Sequence, residues 1–195
     1  MFVIVPCAAG CGRPAISGSN TCAVHAADSK LEAERIGKSI AEREAIKDLS
    51  ACGLRFEEMD FSRHKYYGCN FSGASFSKCL FTGSQMRMLF FDFCSFTDCD
   101  FSNSDLEFLS FAGSSISNCT FEGSTLIHIN YGGSVIRETA FDNSDLYNSR
   151  FIKADIEKTS FTDCNLKRVY FINTRREEVT FKSSNAEEAV FETGE

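Results

Sequence analysis

From Phe56 to Phe191 an apolar residue returns at every fifth position, through Phe56, Phe61, Tyr66, Phe71, Phe76 and Phe81 and onward without a break. Of the 28 such slots only Arg176 carries a charge. Five is neither the 3.6-residue period of a helix nor the 2-residue period of a strand. Ordinary elements cannot produce it, so the chain is expected to fold as a solenoid of short repeats.

A second period lies on the first. Every fourth slot gives Phe61, Phe81, Phe101, Phe121, Phe141 and Phe161 in one column, and Tyr66, Met86, Leu106, Leu126, Leu146 and Leu166 in the next. The third column runs Phe71, Phe91, Phe111, Tyr131, Phe151 and Phe171, and the fourth Phe76, Phe96, Ile116, Ile136, Ile156 and Arg176. A 20-residue repeat of four five-residue units reads as a four-sided coil, with like side chains stacked over like. At about 4.8 Å per layer, about seven coils make a rod on the order of 35 Å long.

Two positions before most slots the residue is small, as in Cys69, Ala74, Cys79, Ser84, Cys94 and Ser104, and glycine recurs two positions after it, as in Gly68, Gly73 and Gly83. Ser104-Asp105-Leu106, Ser144-Asp145-Leu146, Ala154-Asp155-Ile156 and Cys164-Asn165-Leu166 carry the same order of small, acidic or amide, then apolar residue. Over roughly residues 54 to 193 the chain resembles the pentapeptide repeat family, whose consensus is A-[DN]-[LF]-X-X. That resemblance implies an all-β solenoid, a right-handed quadrilateral β-helix. It agrees with the four columns read from the residues alone.

Charge divides the chain. Residues 1–55 carry 7 Lys and Arg against 6 Asp and Glu, and residues 56–195 carry 13 against 21, so the rod is acidic by eight. A direct nucleic-acid binder would show the opposite sign. No stretch is apolar and long enough for a membrane helix, and Met1-Phe2-Val3-Ile4-Val5-Pro6 lacks the basic n-region of a signal peptide. The expectation is a cytoplasmic protein with no membrane partner. Its ten cysteines then need not be disulfides. Cys69, Cys79, Cys94, Cys99, Cys119 and Cys164 fall in the small inward position and read as buried small hydrophobes.

The head has its own chemistry. Cys7-x3-Cys11-x10-Cys22-x2-His25 supplies four soft ligands in two close pairs, with Gly10, Gly12, Pro14 and Gly18 to bend the chain between them. Residues Cys11-Gly12-Arg13-Pro14-Ala15 are similar to the central run of small bacterial zinc knuckles. One structural Zn2+ on Cys7, Cys11, Cys22 and His25 is expected, because four protein ligands leave no open position for catalysis.

Asp28 is placed to cap a helix expected to run to about Ser50, with Leu31, Ile36, Ile40, Ile46 and Leu49 as an imperfect apolar stripe. Its expected use is to cover the open end of the rod, or else to bind a partner. The boundaries drawn are 1–27 for the knuckle, 28–53 for the capping helix and 54–195 for the β-helix.

Nothing recommends an enzyme. His64 and His128 are isolated, there is no phosphate-binding glycine loop, and the serines are periodic. The outward positions say more. Mapped onto the coil, Tyr67, Met88, Phe90, Phe108, Ile127 and Tyr147 align along the edge between the second and third sides, with Phe93 nearby. Such a ridge on a Ser, Thr and Asn surface suits a protein interface, either to a second copy or to another protein, unless the head covers it. The expected function is therefore a non-enzymatic interaction scaffold. The family resemblance implies an alternative, a DNA mimic that binds DNA gyrase and confers quinolone resistance or toxin immunity, to which Asp100, Asp105, Glu122, Asp142, Asp145 and Asp163 would contribute. The charged slot at Arg176 is expected to distort locally, with the guanidinium leaving the tube or pairing with Glu157 or Glu178.

Overall fold

The structure, a computed structural model, describes residues 4–192. One helix, α1 (Ser29–Ala41), precedes a four-sided parallel solenoid of about seven coils. Twelve three-residue strands, numbered in chain order, lie on two of its sides. On the second side β1 (Ala45–Lys47), β3 (Lys65–Tyr67), β5 (Gln85–Arg87), β7 (Asp105–Glu107) and β9 (Thr125–Ile127) pair in that order. The fourth side holds β2 (Arg55–Glu57), β4 (Ser75–Ser77), β6 (Ser95–Thr97), β8 (Ser115–Ser117), β10 (Val135–Arg137), β11 (Asp155–Glu157) and β12 (Arg175–Glu177). Every register step is twenty residues: Tyr66 faces Met86, which faces Leu106. The first and third sides stack by single bridges, Asp60 on Leu80 and Asn70 on Phe90 among them.

Each part of the five-residue unit has a physical task. The slot residue fills the tube, where equivalent rings stack face to face, Phe81 on Phe101 at 4.4 Å and Phe121 on Phe141 at 4.9 Å. Around the tube, successive rings meet edge to face, as Phe101 meets Phe111. The small residue two places earlier ties one coil to the previous one: the hydroxyls of Ser104, Ser124 and Ser144 donate to the carbonyls of Phe81, Phe101 and Phe121 at 2.7–2.8 Å. Cysteine does the same at those positions, with Cys94 Sγ 3.1 Å from the Phe71 carbonyl and Cys164 Sγ 3.0 Å from that of Phe141. Burial pushes the thiols of Cys69 and Cys164 up to about 11, as befits inert packing groups.

The residue two places after the slot turns each corner with positive φ, at glycine and non-glycine positions alike. Asn103, Asn143 and Asn148 suit that conformation. Met88, Phe93 and Phe108, at φ 56–57°, do not.

The N-terminal boundary differs from the sequence expectation. Asp28 does cap α1, its carboxylate accepting from the N–H groups of Lys30 and Leu31, but the helix ends at Ala41. Ile46 and Leu49 are buried in the solenoid instead of in a helical stripe, with Ile46 in register with Tyr66. The reason is the five-residue spacing itself, which Ile46 and Ala51 already obey: stacking on the next coil pairs the backbone and buries both residues. Leu31, assigned to the buried stripe, is 60% exposed, while Ala33, Ile36 and Ile40 face the core.

The two ends of the tube are unlike. At the first coil Ile46, Ala51, Phe56 and Phe61 are all fully buried beneath α1 and the head. At the last, Arg176 is exposed and Phe181 and Phe191 are only partly covered. Arg176 leaves the tube as expected, while its backbone keeps register over Ile156. Its guanidinium pairs with neither Glu157 nor Glu178 among the described residues; it lies 4.8 Å from the centre of the Phe191 ring.

Candidate functional site

Two features of the molecule lie outside the repeat's structural needs. The first is the head. A hairpin-like crossing at Pro6 and Pro14, with the Cys7 N–H donating to the Arg13 carbonyl at 2.9 Å, sets Cys7 and Cys11 on one loop. A tight turn, with the His25 N–H donating to the Cys22 carbonyl at 3.0 Å, sets Cys22 beside His25. Gly10, Gly12 and Gly18 take the positive φ these bends require.

The four ligand atoms converge within 4.8 Å of one another. Sγ of Cys11 and Cys22 are 3.7 Å apart, and His25 Nδ1 is 3.5 Å from Sγ of Cys7 and of Cys22. A tetrahedral ion with metal–sulfur bonds of about 2.3 Å and a metal–nitrogen bond of about 2.0–2.1 Å would hold sulfurs about 3.7 Å apart and sulfur and nitrogen about 3.5 Å apart. The residues fit such an ion, and Cys3His can hold one. All ten cysteines are free thiols, so Cys11 and Cys22 are ligand-spaced rather than bonded.

Electrostatics favour the thiolate at Cys7 and Cys22 but not at Cys11, where the Arg13 N–H favours ionisation and desolvation with the thiols of Cys22 and Cys7 outweighs it. The N–H groups of Cys22 and then Ala9 draw the Cys7 thiol down to about 6. At Cys22 desolvation opposes ionisation, but the N–H groups of His25 and Val24 outweigh it and the net shift is downward. The thiols of Cys7 and Cys22 hold the His25 imidazole above its ordinary range.

The head is fastened to the rod. Ile16 is buried in the rod's own core cluster, Ser17 hydrogen-bonds Ser50 in the first coil, and the Arg35 guanidinium of α1 donates to the Ser17 carbonyl at 2.6 Å. These anchors carry no motif of their own; only their position beside a predicted ligand set could have suggested them.

The second feature is the ridge. Of the six residues assigned to it, Met88, Phe90 and Phe108 are 59%, 42% and 55% exposed, while Tyr67, Ile127 and Tyr147 are half-buried. Phe108 stacks on His128 at 4.8 Å, His128 meets Tyr147 edge to face at 6.1 Å, and the Arg168 guanidinium donates to the Tyr147 hydroxyl at 3.0 Å. The His128 seen as solitary in sequence is thus part of a corner ladder. Phe93, outside the predicted set, is 75% exposed, its ring lying where a Cβ on Gly113 would be. Its signal was a phenylalanine in a corner column otherwise rich in glycine. Among the described residues the head contacts α1 and the first coil.

The family model for pentapeptide repeats matches residues 94–130 and 133–168 in eight copies. Over these residues the rod is made of pentapeptide repeats. No curated protein matches the chain. Among solved structures it is similar to HetL, a pentapeptide repeat protein involved in heterocyst differentiation regulation from the cyanobacterium Nostoc sp. strain PCC 7120. There the identity is 11%, covering 80% of this chain and 94% of HetL, with a TM-score of 0.47. For full-length QnrB1, a plasmid-mediated fluoroquinolone resistance protein, the identity is 15%, covering 72% and 92%, with a TM-score of 0.35. For the pentapeptide repeat protein Rfr23 of the cyanobacterium Cyanothece 51142 it is 13%, covering 81% and 99%, at 0.31. The pentapeptide match begins beyond the Cys3His head and the ridge residues Met88, Phe90 and Phe93. Among the described residues no helix is long and apolar enough to cross a membrane.

Proposed function

We propose that this protein is a non-enzymatic, cytoplasmic scaffold whose pentapeptide-repeat rod presents the ridge of Tyr67, Met88, Phe90, Phe108, Ile127 and Tyr147 to a protein partner. The observation that carries the reading is the conformation of the corners. Met88, Phe93 and Phe108 are large apolar side chains held at positive φ and more than half exposed, so they meet no backbone preference and leave most of their apolar area in solvent, even with Phe108 stacked on His128 and Phe93 over Gly113. Free thiols throughout are in keeping with a reducing compartment. In the head, soft Cys3His ligation with no open position suits structural Zn2+, which would hold the loop of Cys7 and Cys11 against the turn of Cys22 and His25.

The test is a quantitative pull-down with the full chain, comparing wild type with a Met88→Ser, Phe90→Ser, Phe108→Ser triple variant of unchanged circular dichroism. A partner held by wild type and lost by the variant supports the reading. Retention of every captured protein by the variant defeats it.

A second reading, a DNA-mimicking binder of gyrase, is favoured by one observation. Asp100, Glu122, Asp142, Asp145 and Asp163 form no ion pair among the described residues, whereas Asp105, Asp155 and Glu157 are paired with arginines. Gyrase supercoiling, with and without a quinolone at low salt, tests it: neither inhibition nor protection eliminates this reading.

A further inference from the structure

We propose that the groove between α1 and β2 receives an extended segment of a partner protein, added to the fourth side as a further strand with an acidic residue opposite Arg55 and a basic one opposite Glu57. The ridge takes no part in it.

The groove follows from a half-coil step at the N-terminal end of the rod. In each later coil the backbone N–H that opens the fourth side donates to the coil before it, Ser75 to Leu54, Ser95 to Ala74 and Ser115 to Cys94. The chain before β2 supplies the same acceptors to the second and third sides, where Lys65 donates to Glu44 and Asn70 to Leu49. On the fourth side the equivalent acceptor would be Glu34, which lies in α1. The Arg55 N–H therefore has no acceptor among the described residues. For the same reason the Glu57 carbonyl lacks the donor that Ser77 finds in Glu58, and the Asp60 N–H lacks the carbonyl that Leu80 finds in Met59. A row of unmatched backbone groups is the template on which an extended chain adds as a strand.

The helix leaves room beside this edge. Met59 heads a column that runs on through smaller residues, Cys79, Cys99, Cys119, Thr139 and Thr159, and a Cβ on Gly37 of α1 would lie 2.9 Å from its sulfur. Helix and coil touch there. N-terminal to that contact a groove of about 570 Å³ opens between Lys30, Ala33 and Glu34 on the helix and Arg55, Glu57 and Met59 on the coil. That volume is in the range of sites that hold ligands.

Charge selects what fits. Lys30, Glu34, Arg55 and Glu57 are exposed and form no ion pair among the described residues. Elsewhere on this side neighbouring strands match such charges in register, Arg137 with Glu157 and Arg175 with Asp155. On its paired edge β2 meets only Ser75 and Ser77. The complement to Arg55 and Glu57 must then come from the free edge, as an acidic and a basic residue two positions apart. The residue between them points inward beside buried Ala33 and has to be small.

Amide NMR of the isotope-labelled full chain, titrated with two capped peptides, tests the proposal. One is Thr-Val-Thr-Asp-Ala-Lys-Thr-Val-Thr, and the other exchanges its Asp and Lys. Wild type should bind one of them about fivefold more tightly than the other, the worth of two exposed ion pairs, and the order preferred gives the direction of the added strand. Arg55→Glu combined with Glu57→Arg, of unchanged circular dichroism, should invert the preference. The Arg55 amide should shift and its exchange with water should slow, which contact through side chains alone would not produce. No shift at Arg55 with millimolar peptide, a preference that does not invert, or a shift without slowed exchange overturns the proposal. The Met88→Ser, Phe90→Ser, Phe108→Ser variant should bind the preferred peptide as tightly as wild type, and weakened binding there also counts against a groove separate from the ridge.

Discussion

Ser17 and Ser50 clasp each other: the Ser17 N–H donates to the Ser50 carbonyl at 2.8 Å, and the Ser50 N–H donates to the Ser17 hydroxyl, also at 2.8 Å. Ser17 lies between the Cys7–Cys11 and Cys22–His25 pairs of the Cys3His cluster, and Ser50 lies in the first coil. With buried Ile16 beside it, the clasp makes the head a lid on the rod's first apolar layer.

Loss of the metal site should therefore be felt inside the rod, though only at one end. Chelation or Cys22→Ser is expected to free the head, exposing Ile16, whose burial is worth ~1.5–3 kcal/mol. Amide exchange should accelerate across residues 46–61 and remain slow across 101–161, because solenoid coils depend on their neighbours. Unchanged exchange in the first coil, or chain-wide unfolding, would contradict the lid. Elemental analysis should find one zinc per chain, lost in Cys22→Ser.

Two tyrosines occupy apolar slots with opposite outcomes. The Tyr66 hydroxyl donates to the Phe61 carbonyl at 2.9 Å, whereas that of Tyr131 is buried with no hydrogen-bond partner among the described residues. Tyr131→Phe should raise stability by about 1–2 kcal/mol, and Tyr66→Phe should lower it by about 1 kcal/mol. Denaturant melts of both variants check the difference in sign.

Burial also raises both phenols, so the folded state keeps protons that the unfolded chain releases near pH 10. Stability is fully present below that pH and falls as pH rises above it. The ultraviolet signal of phenolate formation at Tyr131 should appear only as the rod unfolds. Its appearance in a rod still folded by circular dichroism would contradict the burial.

Arg176→Leu should extend the Ile156 column while losing the contact with Phe191. A cation over a ring is worth about 0.5–1 kcal/mol at exposed sites, and the leucine recovers a similar amount by partial burial. The melting temperature should move little. A clear fall would show that the guanidinium is essential to the last coil.

Relief of corner strain gives the ridge a signature that a packing role could not give. Asn tolerates positive φ, so Met88→Asn is expected to leave stability unchanged or raise it by up to about 1 kcal/mol. Association should weaken at the same time. Calorimetry and the pull-down on the same variant measure both, and a marked loss of stability would make Met88 a structural residue.

The tube was legible in the sequence because its cause is local and repeated. Each slot must be apolar to fill the interior, each fourth slot lies over its equivalent, and one charge in 28 positions leaves no doubt of the register. The spacing of Cys7, Cys11, Cys22 and His25 was legible for the same reason, since coordination demands ligand types at short separations. The ends were not. The chain from Ala45 to Lys47 is adequate for a helix until a parallel neighbour at Lys65–Tyr67 exists to pair with it. Leu31 is exposed and Ile16 buried because of where the head docks, a contact between segments with no shared periodicity. Arg176 sits in an inward slot yet meets solvent, its guanidinium over the Phe191 ring, a placement that the slot pattern does not specify. Periodicity alone determined what stacks on what; only the tertiary structure decided what covers the first layer, what leaves the last one partly open and which outward side chains remain exposed, since burial belongs to the assembled surface and not to the repeat.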